Sequence, residues 1–87
     1  MATDRPRDEL SATLHELRVA AELSVAEASA RSGVPQSSLS RYETGRILPP
    51  PGKLEMLLAA YQAKPSVRRS AMKLARDRRE QTRRVVL

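Results

Sequence analysis

The chain has 87 residues, no cysteine, no Phe and no Trp, and its only aromatics are Tyr42 and Tyr61. A disulfide framework and a thiolate metal site are therefore excluded, and the core has to come from Leu, Val, Ala, Met and Ile. The net charge is +6, but residues 1–63 hold seven Lys/Arg against eight Asp/Glu, while residues 64–87 hold nine against two, so the basic excess lies in the last quarter.

Five helices are expected. The first spans about 6–21, with Pro6 in its first turn and Leu10, Leu14 and Leu17 as one apolar stripe. The second spans about 25–32. Ser24 and Glu27 form an S-x-x-E capping box ahead of it, and Gly33 stands where a left-handed C-cap is cheap. The third begins near Pro35 or Gln36 and stops by Gly45, with Leu39 and Tyr42 turned inward. Residues 47–51 are extended, because Pro49, Pro50 and Pro51 cannot continue a helix. The fourth spans about 52–63 and buries Leu54, Leu57, Leu58 and Tyr61. Lys64-Pro65 breaks the chain. The fifth spans about 66–81, a basic helix with Val67, Ala71, Leu74 and Ala75 as a thin apolar stripe. Met56 and Met72 read as core filler.

Two short helices joined by a Gly turn and flanked by helices is the arrangement of a helix-turn-helix. The stretch from Leu14 to Arg46 carries Leu-x-x-Leu-Arg, then Leu-Ser, the turn Gly33, and Ser-x-Leu-Ser-Arg-Tyr-Glu-x-Gly-Arg. With these in register, extending through Pro49 and Leu54 to Tyr61, the sequence resembles the Cro/C1-type (XRE) helix-turn-helix family. The resemblance implies an all-α, five-helix, lambda-repressor-like domain that binds double-stranded DNA with its third helix in the major groove. It implies a bacterial transcription regulator, a repressor or antitoxin-like protein, cytoplasmic and nucleoid-associated, acting as a homodimer. At about 100° per residue, Gln36, Ser37, Ser40, Arg41 and Thr44 share one outer face. By the resemblance, Gln36, Ser37, Ser40 and Arg41 read base edges: Gln pairs with adenine, Arg with guanine, Ser with either. Ser38, Thr44 and Arg46 are placed for phosphates. Arg18 and Glu43 match an ion pair that links the first helix to the end of the reading helix.

The chain also departs from the pattern. Glu22 stands where the family usually has Gly, so the first helix is expected to end differently. Val25 replaces a polar residue that reaches a phosphate. Ser29 replaces an Ala that packs the helix pair, and Pro35 replaces a Ser or Thr cap.

The basic run from Lys73 to Leu87 resembles, more loosely, actinobacterial regulators in which the helix-turn-helix precedes a larger domain and a small neighbouring protein is a partner. The expected division is residues 1–63 as the DNA-binding domain and 64–87 as a basic helix leading to a further domain, with Val85-Val86-Leu87 opening an apolar segment. The basic residues from Arg68 to Arg84 read equally as a solvated helix with pairs such as Lys73–Asp77 and Arg76–Glu80, or as a surface for phosphate or for the further domain. His15 is expected to face solvent. Without a Cys, a Gly-rich phosphate loop or clustered carboxylates, no catalytic site, metal or cofactor is expected. No apolar run approaches the ~20 residues that span a bilayer, so no membrane partner is expected. Two rivals remain: a protein-interaction module on the same scaffold, and non-specific nucleic-acid coating by residues 64–87.

Overall fold

The computed structural model describes residues 8–85, with side chains through residue 81. Five helices follow one another and no strand occurs among the described residues: α1 (Glu9–Ala20), α2 (Val25–Ser32), α3 (Gln36–Thr44), α4 (Pro51–Ala60) and α5 (Pro65–Val85). The expectation of Pro6 in the first turn falls outside the described residues, as does the end of the apolar segment at Val86 and Leu87. Where α1 begins, Asp8 is its N-cap. The Asp8 carboxylate accepts from the Ser11 amide at 2.8 Å, and the Ser11 hydroxyl accepts from the Asp8 amide at 3.1 Å. This reciprocal box uses D-x-x-S in place of the common S-x-x-E.

The C-terminus of α1 corrects the expectation attached to Glu22. The residue stays Glu, yet its φ is +58°, the left-handed conformation a glycine would adopt. The Leu23 amide then reaches back to the Arg18 carbonyl at 3.2 Å and the Glu22 amide to the Val19 carbonyl at 2.9 Å. That is a Schellman ending, and it saturates carbonyls that a frayed helix would leave open. The same device closes α4, where Gln62 has φ +53° and the Ala63 amide bonds the Leu58 carbonyl at 3.0 Å. The helix expected to reach residue 63 therefore stops at Ala60. It also starts one residue early, because Pro51 at the first helical position gives up no intrahelical bond.

The apolar stripes converge on one core of Leu10, Leu14, Leu23, Ala28, Val34, Leu39, Tyr42, Leu54, Leu57, Leu58, Tyr61, Ala63, Ala71 and Ala75. α1 packs on α3 and α5, α2 packs on α3 and α4, and α4 packs on α5. On α2 it is Ala28 that is fully buried, while Ser29 is half-buried, so the larger serine is accommodated at the edge of the helix pair. Met72 is half-buried against the core. Met56 is no core filler: it is 43 % exposed. Its methyl lies over the turn, 3.4 Å from where a Cβ on Gly33 would stand. α5 runs longer than expected, to Val85, and its Ala71 and Ala75 complete the core, so the core crosses residue 63.

Candidate nucleic-acid interface

The turn between α2 and α3 is built from three residues. Gly33 takes φ +81°, which turns the chain sharply after Ser32. The buried Ser32 hydroxyl donates to the Ala28 carbonyl at 2.7 Å and accepts from the Val34 amide at 3.1 Å. One side chain thereby gives the turn amide of Val34 a partner and ties it back to the last turn of α2. Fully buried Val34 then pins the start of α3.

With Leu39, Tyr42 and Glu43 buried on one side of α3, the other side is presented outward. Gln36, Ser37, Ser40 and Arg41 are all exposed on it. Ser38 and Thr44 are half-buried, and Arg46 is exposed in the loop that follows. Pro35 caps α3 without any side-chain bond, as expected from its chemistry. The first amide taken up by the helix is that of Leu39, bonded to the Pro35 carbonyl at 2.9 Å. The preceding amides, of Gln36, Ser37 and Ser38, sit at a helix end that favours an anion. Thr44 behaves less openly than its sequence position suggests. Its hydroxyl donates into its own helix, to the carbonyls of Ser40 at 3.1 Å and Arg41 at 3.3 Å, which leaves its lone pairs, not its proton, facing out.

The tilt of α3 is set by a charged clamp at its inner end. Arg18 Nε donates to Glu43 Oε2 at 2.7 Å and Arg18 Nη2 to Glu43 Oε1 at 3.0 Å, a two-pronged pair. Its Nη1 donates to the Leu23 carbonyl at 2.9 Å, so a single guanidinium joins α1, the entry to α2 and the end of α3. The side chains are 14 % and 7 % exposed, so neither charge has bulk water to fall back on. The bond to Glu43 raises the Arg18 guanidinium above its ordinary value, against the opposing effect of burial.

His15 belongs to this cluster, contrary to the expectation that it faces solvent. Its Nδ1 lies 3.0 Å from Glu43 Oε1 while its side chain is 45 % exposed. Helical spacing alone places His15 three residues before Arg18 on one face of α1; that was the available signal, and it required knowing where Glu43 would arrive. Behind the clamp, Tyr61 is buried with its hydroxyl unpartnered, and burial, reinforced by the Glu43 carboxylate, pushes its phenol well above the ordinary value. His15, Arg18, Val25, Ser40, Glu43 and Thr44 line a groove of about 240 Å³ between α1, α2 and α3. Val25 brings no polar atom there.

No group of three or more His, Cys, Asp or Glu side chains suited to a metal ion occurs among the described residues, and none of the described helices is long and apolar enough to cross a membrane.

A bracing helix, a Gly turn and an outward-facing second helix define a helix-turn-helix protein. The family described as helix-turn-helix domain matches residues 9–71, most of the chain, and the chain belongs to it. No curated protein and no solved structure matches the chain.

Proposed function

We propose that this helix-turn-helix domain binds double-stranded DNA sequence-specifically and regulates transcription, with α3 lying in the major groove. The observation that carries the reading is the pairing of an exposed polar face on α3 with a buried clamp beneath it. Base discrimination needs side chains held to a fixed geometry, and the clamp supplies that from the buried edge of the same helix. Gln36, Ser37, Ser40 and Arg41 read base edges. Ser38, Thr44 and Arg46 set the register on the DNA backbone, and the uncapped start of α3 takes a phosphate. Thr44 donates to a phosphate only after giving up its bonds to the Ser40 and Arg41 carbonyls.

Within this reading the chain is a bacterial regulator of the Cro/C1 type, a repressor or antitoxin-like protein of the cytoplasm with a small protein as partner. A homodimer would place two copies of α3 about 34 Å apart on an inverted repeat. The experiment is selection of bound sequences from a random duplex pool at near-physiological salt, with the natural chain and with Arg41→Ala. The expected result is an enriched inverted repeat, with Arg41→Ala losing roughly 1–3 kcal/mol and the preference at one base position. Enrichment that is identical in the two proteins would remove Arg41 from the reading face, and no enrichment by the natural chain would end the sequence-specific reading.

A further inference from the structure

The positive charge of this chain is not where α3 is. Pro65–Val85 carries eight Lys/Arg and two Asp/Glu, a balance of +6 that equals the net charge of the whole chain. The structure shows what several of these cations do. Lys73 pairs with Asp77 at 2.9 Å. Arg78 turns to α1 and meets Asp8. Arg68 turns to the end of α4 and donates to the Ala63 carbonyl at 3.3 Å.

Arg69, Arg76 and Arg79 are the other α5 cations whose side chains are described, and they lie together on the α4 side of α5. Arg69 and Arg76 are seven residues apart and so nearly in line along the helix, about 10 Å from one another. Both are exposed, and neither forms an ion pair among the described residues; the Arg76–Glu80 pair expected from spacing does not form. Arg79 lies between that line and the buried Ala71–Ala75 stripe. Its Nη1 donates to the Pro49 carbonyl at 3.1 Å. Pro49 belongs to the loop that leaves α3 at Gly45 and carries Arg46. The arginine flank of α5 is therefore fastened to the loop at the edge of the reading helix. Helix-dipole complementation does not account for it, because that effect fades within the last turn and Arg69 and Arg76 stand more than two turns before Val85.

We propose that this flank of α5 is a second DNA-backbone-binding element, which takes phosphates of the same duplex beyond those reached from α3 and its loop. This rests on the DNA-binding reading above. A duplex backbone is a dense line of single negative charges, and a line of long, exposed, unneutralised guanidiniums complements it without any need for shape or sequence. The near-neutral remainder of the chain supplies little such attraction. The division of labour is then clear: α3 specifies, and α5 supplies affinity that depends on salt.

The test is the dissociation constant of a labelled mixed-sequence duplex several helical turns long, measured over a salt series. The proteins are the natural chain, Arg69→Gln with Arg76→Gln, and Arg31→Gln as an exposed control on α2. The double variant should lower the slope of log affinity against log salt by about 0.9 per arginine, ~1.8 in all, while Arg31→Gln keeps the natural slope. The base preference selected from a random pool should be the same in all three. An unchanged slope in the double variant overturns the proposal and leaves the reading face of α3 standing. A lowered slope accompanied by dissociation of a dimer in sedimentation also overturns it, because the flank is then an interface between copies. A natural chain that binds no duplex at any salt overturns both this proposal and the DNA-binding reading on which it rests.

Discussion

Glu22 and Gln62 hold the same left-handed conformation for the same reason: each closes a helix so that the next segment can leave at a sharp angle. An L side chain in that region costs roughly 1–2 kcal/mol, part of which glycine gives back through its greater freedom in the unfolded chain. Glu22→Gly and Gln62→Gly should each stabilise the chain by about 0.5–1 kcal/mol, while Glu22→Ala should give no gain. Thermal unfolding followed by circular dichroism reads the difference, and a lower melting temperature for both glycine variants would show that the Glu and Gln side chains make contacts worth more than the strain. Tyr61 makes the complementary point about a side chain. Its ring fills the core beside the Arg18–Glu43 clamp, but its hydroxyl has no partner. Removing an unsatisfied buried hydroxyl while keeping the ring should stabilise, so Tyr61→Phe should gain about 1 kcal/mol, roughly 4–8 °C in melting temperature. A drop of that size would mean that the hydroxyl is satisfied in solution. These residue-level features were the hardest to read from the sequence. A left-handed Glu looks like any other surface Glu, and the meeting of His15 with Glu43 joins positions 28 residues apart.

The helices themselves were largely legible, and the reasons are local. The Ser24–Glu27 box, Gly33, Gly45 and the leucine spacings each act within one or two turns, so the chain announces them without tertiary information, whereas Pro51, read as extended, opens α4. Misreadings gathered where a distant partner or an unusual cap decides. The start of α1 depends on Asp8 and Ser11 in a less common box, and the end of α4 on a non-glycine left-handed residue. The cap of α2 also sets a pH dependence. Glu27 Oε1 accepts from the Ser24 amide at 2.8 Å, and this bond, with that of the Ser24 hydroxyl, holds its carboxyl below the ordinary value of 4.5. A carboxyl lowered by folding contributes stability that is complete above its unfolded value and is lost as pH falls through the folded one. Glu27→Gln keeps an accepting oxygen but not the charge. The melting temperature of the natural chain should therefore exceed that of Glu27→Gln near neutral pH, and the gap should close as pH falls below about 4. A gap that stays constant across that range would assign the difference to something other than the carboxylate.

At the scale of the molecule the open question is whether α5 is an appendage or a part of the core. Charge divides the sequence near residue 63, and a boundary drawn there separates a nearly neutral piece from a basic one. Packing does not follow charge. Ala71 and Ala75 are fully buried, Val67 and Leu74 pack against the core, and α5 lies on both α1 and α4. Small residues mark that crossing, since only alanine lets the helix backbone approach so closely, and their low hydrophobicity is why the stripe looked thin. Without α5 the inner faces of α1 and α4 would meet water. A leucine-sized side chain is worth about 1.5–3 kcal/mol when buried, against a total stability for small domains of about 5–15 kcal/mol, so re-exposing even a few exhausts the margin. A chain ending at Lys64 should therefore lose its cooperative thermal transition, whereas the 87-residue chain should melt in one step. In the 87-residue chain, Ala71→Leu should cost about 1–3 kcal/mol by overpacking the same contact. Both are measured by circular dichroism against temperature. A shortened chain that still unfolds cooperatively, together with an Ala71→Leu variant as stable as the natural one, would show that α5 docks loosely and that the first four helices are sufficient to hold α3 in place.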